Sequence, residues 1–383
     1  MSMRQSRTIF GAALMLFIAY GPRAALPYLM PSWLTASGFE RDTFSTMLTV
    51  QSLVWGSGAL IAGLLADRGY GRHVSFIAAL CYALGLGLLP FASSPAFAIL
   101  LGGLFVGIGL AGTTFAVMFA VLARGTPQAA TIAFGIATAA AAASPLGFVP
   151  VSQSLLLTHG VSITLSLLGL AMLLIVPASM MLSDSPDIAR PADGRVAKTV
   201  VALLFIGSGV SGFQTGLVSA YLGVTLADFG LGVAVTVLSL LLLNLANVAG
   251  SLSCGWGMVH NRPGLSLALV FGLRSLAFAA LLLLPASSTL AFGFAALSGL
   301  GWLVSLPVAA LVVLKLGSAR HVGLMTGLML AAWQGGSVAA VAFGYDTYGW
   351  WGDYHRGWQV SLVLGLVMAA AYFLTFRKSH QIH

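Results

Sequence analysis

Ser183-Asp-Ser-Pro-Asp-Ile-Ala-Arg190-Pro-Ala-Asp-Gly-Arg195-Val-Ala197 is the one long polar interruption in the chain. On either side the sequence is strongly apolar. Of 383 residues, 59% are hydrophobic and only 7% charged, against about 25% charged in an average soluble domain. A chain so poor in charge cannot cover a surface that faces water, so a soluble enzyme and a disordered chain are both excluded. The two cysteines, Cys81 and Cys254, lie inside apolar runs, which excludes a disulfide-framed secreted module. The sequence describes an integral membrane protein whose partners are a lipid bilayer and a small molecule, with no nucleic acid; the net charge of +8 reports orientation.

A hydrocarbon core of roughly 30 Å needs about 20 apolar residues per helix. Reading outward from 183–197, six such stretches precede it, near 8–33, 42–66, 72–92, 95–123, 127–157 and 161–182. Six follow, near 198–227, 231–259, 264–286, 288–316, 320–345 and 357–377. Continuous apolar runs exclude a transmembrane barrel, and backbone polar groups in lipid then require helices. The expected fold class is an all-α membrane protein of twelve transmembrane helices. Residues 1–182 form one bundle, 183–197 a linker and 198–383 a second bundle.

Basic residues set the topology. Arg4, Arg7, Arg68, Arg72, Arg124, Arg190, Arg195, Lys198, Arg262, Lys315, Arg320, Arg377 and Lys378 fall on the side of the N-terminus. Arg41 and Arg356 alone face the other side, together with Glu40, Asp42, Asp228, Asp346 and Asp353. Both termini are therefore expected in the cytoplasm of a bacterial inner membrane.

Shifting the chain against itself by 192 residues superimposes eight glycine pairs: Gly38/Gly230, Gly58/Gly250, Gly63/Gly255, Gly107/Gly299, Gly109/Gly301, Gly125/Gly317, Gly135/Gly327 and Gly160/Gly352. Composition alone gives about 3 coincidences. Two six-helix repeats about an axis along the membrane normal are the plan of the major facilitator fold, in which two halves rock around a midplane cavity.

The loop between spans 2 and 3 reads Gly63-Leu-Leu-Ala-Asp67-Arg68-Gly-Tyr-Gly71-Arg72. It resembles the major facilitator signature G-x-L-x-D-R-x-G-R-R, with one extra residue before Gly71. The resemblance implies a gating role for Asp67, Arg68 and Arg72, through charge pairing and a carboxylate placed near a helix N-terminus. Further stretches resemble bacterial permeases of the monocarboxylate transporter-like branch, which contains oxalate/formate exchangers. These are Tyr20-Gly-Pro-Arg23, Gly38-Phe-Glu-Arg41 with Phe44-Ser45, Gln51-Ser-Leu-Val-Trp55-Gly56, Asn247-Val-Ala-Gly250-Ser251, Gln334-Gly-Gly-Ser337 and Gly352-Asp-Tyr354. Eukaryotic members of that branch place an Asp and an Arg four apart in span 8, where this chain has Asn244 and Val248.

All nine carboxylates lie in loops or at span ends, which disfavours proton-coupled export of cations. Two arginines, Arg23 and Arg274, fall within spans. Arg23 shares a face of span 1 with Tyr20 and Pro27, and its planar fork suits a carboxylate. The alternative for it is satisfaction by backbone carbonyls or a helix C-terminus. Arg274, in span 9, reads better as an interhelical hydrogen-bonding residue. Substrate-contact candidates beside Arg23 and Tyr20 are Gln51, Thr113, Gln214, Tyr221, Asn244, Asn247, Trp302, Trp333 and Gln334. Each of these also serves as a packing residue in many membrane helices.

Gly107-Ile-Gly109-Leu-Ala-Gly112 matches a nucleotide-binding pattern but follows no strand, so close helix packing is its reading. The histidines lack metal-ligand spacing, and neither a hydrolase nucleophile motif nor a P-loop occurs, so no metal, cofactor or enzymatic activity is expected. The expected function is secondary active transport of a small organic anion, a mono- or dicarboxylate, by alternating access, by a monomer. The alternatives are import or export of a neutral or zwitterionic metabolite or siderophore and, remotely, a non-transporting membrane sensor.

Overall fold

The computed structural model describes residues 2–126, 129–183, 196–253, 262–317 and 319–377. The central part of the expected linker, residues 184–195, lies outside them, as do the end of span 8 and the chain end beyond Arg377. The described chain is helical throughout. Its principal helices are α1 (Met3–Ser37), α2 (Arg41–Leu65), α3 (Gly71–Leu88), α4 (Val106–Thr113), α5 (Phe115–Gly125), α6 (Ala130–Met172), α7 (Lys198–Asp228), α8 (Val233–Ser253), α9 (Pro263–Leu283), α10 (Ser288–Leu300), α11 (Ser305–Leu316), α12 (Val322–Trp351) and α13 (His355–Phe376).

These helices build ten long apolar stretches among the described residues. Two of the ten, Arg41–Phe91 and Ala130–Ser179, run to 51 and 50 residues. At 1.5 Å per residue each is about 75 Å long, more than twice the hydrocarbon thickness. Each is bent inside by a glycine in the left-handed region, Gly69 (φ 94) and Gly160 (φ 78). The count is compatible with the twelve expected spans.

Several borders differ from the hydropathy reading for physical reasons. α1 starts five residues before its apolar run, because Ser2 and Gln5 form a reciprocal capping box, Gln5 N–H to Ser2 Oγ at 3.3 Å and Ser2 N–H to Gln5 Oε1 at 2.9 Å. It ends where Gly38 (φ 72) returns its N–H to the Leu34 carbonyl. Spans 4 and 10 are not single helices. α4 stops at Thr114, which is extended (φ −112, ψ −158), and α10 gives way to turns at 301–304 before α11 begins.

The outer surface is apolar, as a bilayer requires: Leu283 is 80% exposed. Tyr345, Trp350 and Trp351 stand exposed at the end of α12, where aromatic rings meet lipid headgroups. Four of the five glycines with positive φ pair at one offset, since 230 − 38 = 192 and 352 − 160 = 192. The counterpart of the fifth, Gly69, is residue 261, outside the described residues.

What places the site is the crossing of α2 and α12. A Cβ on Gly63 would collide with the Gly323 carbonyl, and one on Gly327 with the carbonyl of Ala59. Farther along, Gly56 faces Ala331 and Gln334. Glycine lets the two backbones touch, and dispersion between them is the attraction that survives in lipid. Gly327→Val should insert two methyls between backbones and cost about 1–3 kcal/mol. A melting temperature several degrees lower is the expected result; an unchanged one would mean that the helices are not in contact.

Candidate functional site

Asp67 sits in the bend between α2 and α3 and reaches α12. Its Oδ1 accepts the Gly323 N–H and its Oδ2 the Leu324 N–H, both at 2.8 Å. These belong to the first turn of α12, whose N–H groups have no intrahelical acceptor and carry the positive end of the helix dipole. Arg124, at the end of α5, braces the same bend by donating from Nη1 to the Ala66 and Asp67 carbonyls at 2.8 and 3.2 Å. Its guanidinium lies against Gly69, where a Cβ would be 3.2 Å from Nη2. Arg68 and Arg72 are exposed. Hydropathy and the loop motif miss Arg124, because it is remote in sequence from the bend it supports.

The interior arginines differ sharply. The Arg23 guanidinium makes no hydrogen bond or ion pair to any described residue, and its Nε is buried without a partner. The titratable side chains that feel its charge are Tyr82 and Tyr20. Tyr20 packs its ring against Trp55 and Phe115, at centroid distances of 5.7 and 5.3 Å. Tyr82, fully buried on α3, donates to the Ala19 carbonyl of α1 at 2.9 Å. One face of α1 thus offers a lone cation beside an aromatic wall.

Arg274, on α9, is fully engaged at its terminal nitrogens. Nη1 donates to Ser211 Oγ at 2.5 Å and to Gln214 Oε1 at 3.3 Å. Nη2 donates to the Gly301 carbonyl and, at 2.6 Å, to that of Trp302. Both carbonyls belong to the interruption between α10 and α11, so this arginine caps a helix C-terminus inside the membrane. Asn247 serves the same interruption from α8, its Oδ1 accepting the Leu303 N–H at 3.2 Å.

Most of the other polar candidates are committed to backbone. Gln51 Nε2 donates to the Gly102 carbonyl at 2.9 Å while its buried Oε1 has no partner among the described residues, and Thr113 Oγ1 donates to the Gly109 carbonyl at 2.7 Å. Gln214 Nε2 donates to the Ser361 carbonyl at 2.9 Å. Asn244 bonds within its own helix, to Leu240 O at 2.8 Å. Tyr221 donates to the Val341 carbonyl at 2.6 Å and stacks on Tyr354 at 4.5 Å, away from Arg23. Trp333 and Gln334 are buried where α12 meets α7 and α2. The structure therefore joins Tyr20 with Arg23, and Gln214, Asn247 and Trp302 with Arg274. Trp55 and Phe115, which pack on Tyr20, and Tyr82, whose ring lies near Arg23, stand out in sequence only as aromatics within apolar runs.

Residues 12–341 match the Major Facilitator Superfamily. The chain belongs to that family, a multi-pass membrane transporter of small molecules and not an enzyme. Among solved structures it is similar to the human organic anion transporter MFSD10 (TETRAN), at 16% identity and a TM-score of 0.67, covering 97% of this chain and 99% of that one. FucP in the outward conformation has 14% identity and a TM-score of 0.71, over 97% and 98% of the chains. The proton:xylose symporter XylE bound to 6-bromo-6-deoxy-D-glucose has 14% identity and a TM-score of 0.65, over 97% and 95%. No curated protein matches the sequence significantly.

Asp67→Asn keeps the shape but replaces one acceptor with a donor that faces the Leu324 N–H. It should slow transport by an order of magnitude while leaving substrate affinity within about twofold, because it acts on the balance of conformations. Uptake into proteoliposomes at the wild-type rate would refute this role.

Proposed function

We propose that this chain is a secondary active transporter of a small organic anion, built as two six-helix bundles, 1–182 and 198–383, that rock about the cavity between them. The observation that carries the reading is the contrast between its two interior arginines. Arg274 spends both terminal nitrogens on protein acceptors, whereas the Arg23 guanidinium has no protein acceptor among the described residues. A guanidinium at membrane depth is costly unless something compensates it, and a substrate carboxylate is the group its fork fits best.

The commitment of Thr113, Gln214, Asn244 and Asn247 to backbone narrows the substrate, with Gln51 keeping one unpaired oxygen. A sugar needs several free hydrogen-bonding side chains, while one cation beside Tyr20, Trp55 and Phe115 suits an anion with an apolar body. The fold does not choose between these, since an organic anion transporter, a fucose:proton symporter and a proton:xylose symporter share it. The resemblance to the monocarboxylate transporter-like branch favours the anion. Basic residues on the side of the termini favour a bacterial inner membrane with both ends cytoplasmic. A neutral or zwitterionic metabolite or siderophore is the competing substrate class; a monomer suffices for either.

Arg23→Lys should keep the charge, lose the fork and weaken anion binding about tenfold. Arg23→Gln should weaken it roughly 30-fold or more, since removing one partner of a buried charge pair costs about 2–5 kcal/mol. Arg274→Gln should lower the melting temperature and leave the affinity of the surviving protein unchanged. Binding isotherms for the three variants decide the matter, and normal anion binding by Arg23→Gln would move the site elsewhere.

With every carboxylate in a loop or at a span end, transport should proceed by anion exchange or with a proton that travels beside the substrate. Replacing Na⁺ by K⁺ in the vesicle assay should change the rate by less than about twofold; a strict Na⁺ requirement would contradict this coupling.

A further inference from the structure

The glycine contacts between α2 and α12 fix how the two helices run past each other. Gly63 meets Gly323, Ala59 meets Gly327 and Gly56 meets Ala331. Going back along α2 by 63 − 56 = 7 residues matches going forward along α12 by 331 − 323 = 8, so the pair is antiparallel and nearly in step. Carried on from Gly56 and Ala331, this register brings Arg41 level with Asp346, since 56 − 41 = 15 and 346 − 331 = 15. Fifteen residues make about four turns and about 22 Å of helix, so each side chain comes back close to the face that carries the contact.

At this far end, opposite the Asp67 contact, both charges are idle. Arg41 and Asp346 are exposed, and neither forms an ion pair or hydrogen bond with a described residue. Each is fixed to its own bundle. Phe44, one turn after Arg41, packs on Trp33 of α1 at a centroid distance of 6.2 Å. On the other side Tyr221 of α7 donates to the Val341 carbonyl, lies against Gly344 and feels the charge of Asp346. Tyr348 of α12 adds to the same brace by stacking on Tyr354 at 5.0 Å. The two charges therefore travel with their bundles, and a rocking motion about the glycine crossing that parts the near ends draws the far ends together.

The repeat supplies a comparison. α6 and α8 also pack on each other, and by the 192-residue offset they are the counterparts of α12 and α2. Arg41 corresponds to Val233 and Asp346 to Ser154, since 233 − 41 = 192 and 346 − 154 = 192. Asp67 corresponds to Val259, since 259 − 67 = 192. One of the two related crossings thus carries charge at both of its ends, and the other carries none at the matching positions.

We propose that Arg41 and Asp346 form an ion pair between the bundles in the conformation opposite to this one, closing the far end of the α2–α12 crossing as Asp67 closes the near end. The inference rests on the rocking of two bundles put forward above and is independent of the substrate. Each contact exists in one conformation alone, so the two together set the balance between the states.

The test is the distance between nitroxide labels on Ser154→Cys and Val233→Cys, which are exposed positions of α6 and α8 in different bundles. It is measured by pulsed electron paramagnetic resonance in lipid nanodiscs, with Cys81 and Cys254 replaced by serine. Asp67→Asn is present throughout, to weaken the near-end contact and populate the state closed at the far end. A short and a long distance are expected. Arg41→Glu and Asp346→Arg should each lower the ratio of short to long about fivefold. The swap that carries both should restore the ratio to within about twofold, which a merely structural role would not do. Both side chains are exposed and unpaired here, so the single variants should melt like their parent. An unchanged ratio in either single variant overturns the proposal, as does a swap no better than the singles. One distance common to every variant would remove the rocking itself and the pair with it. The measurement needs no substrate, so a failure of the anion assignment at Arg23 leaves it standing.

Discussion

Every backbone N–H and C=O in a bilayer must find its partner within the protein, and this constraint organises the interior of the chain. Continuous helices satisfy it at no further expense. The interrupted ones do not, and the side chains that repair them are the polar residues a reader of the sequence would give to substrate. At the end of α4, Thr114 Oγ1 donates to the Leu110 carbonyl at 2.6 Å and is itself held by the Trp55 indole N–H at 3.0 Å. At the end of α10, Asn247 takes up the Leu303 N–H, and Arg274 covers the Gly301 and Trp302 carbonyls. Trp55 and Asn247, the two side chains that reach these interruptions from α2 and α8, are 247 − 55 = 192 residues apart.

The crossing of α2 and α12 depends on the same constraint in another form. Hydrophobic burial contributes little between helices that could equally face lipid tails, so contact has to come from close approach and polar capping. Gly63, Gly323 and Gly327 supply the first. Asp67 supplies the second, one carboxylate for two otherwise unpaired N–H groups. A hydrogen bond to a charged group contributes about 1.5–3 kcal/mol, and a conformational balance of a few kcal/mol is what such contacts can tip. The bond lies between a bend and a helix end rather than inside a packed core, so it breaks without unpacking either helix.

Much of this was legible in the sequence. Apolar length located the helices, and the positive φ of Gly38, Gly160, Gly230 and Gly352 falls at glycines that the 192-residue offset had paired. The bend at Asp67 was legible because its residue types have a mechanical reason to be there. The polar stripes were not. Spacing tells which residues share a face of a helix, as with Asn244 and Asn247, but not whether that face meets substrate, a neighbouring carbonyl or the helix itself. Asn244 turned to its own helix and Asn247 to a broken one. The interruptions themselves were hidden, because the residues around Thr114 and Gly301 are as apolar as a continuous helix would be.

The two arginines show how one frame can treat the same charge in opposite ways. Tyr82 reaches the Ala19 carbonyl and Arg274 reaches Ser211 Oγ, and both pairs obey one offset, since 274 − 82 = 192 and 211 − 19 = 192. By that offset Arg23 corresponds to Thr215. The first half puts a tyrosine where the second puts a guanidinium, and carries its own guanidinium one helix away. Tyr82 joins α3 to α1 through an uncharged hydroxyl, and the Arg23 Nε is left without a partner. In the second half the guanidinium is itself the closing element, and Thr215 turns its hydroxyl to the Ser211 carbonyl at 2.9 Å. An interior cation keeps its donors open where a neutral side chain has taken over the work of holding the helices, which is the basis of the role proposed for Arg23, whereas the terminal nitrogens of Arg274 are spent on protein acceptors.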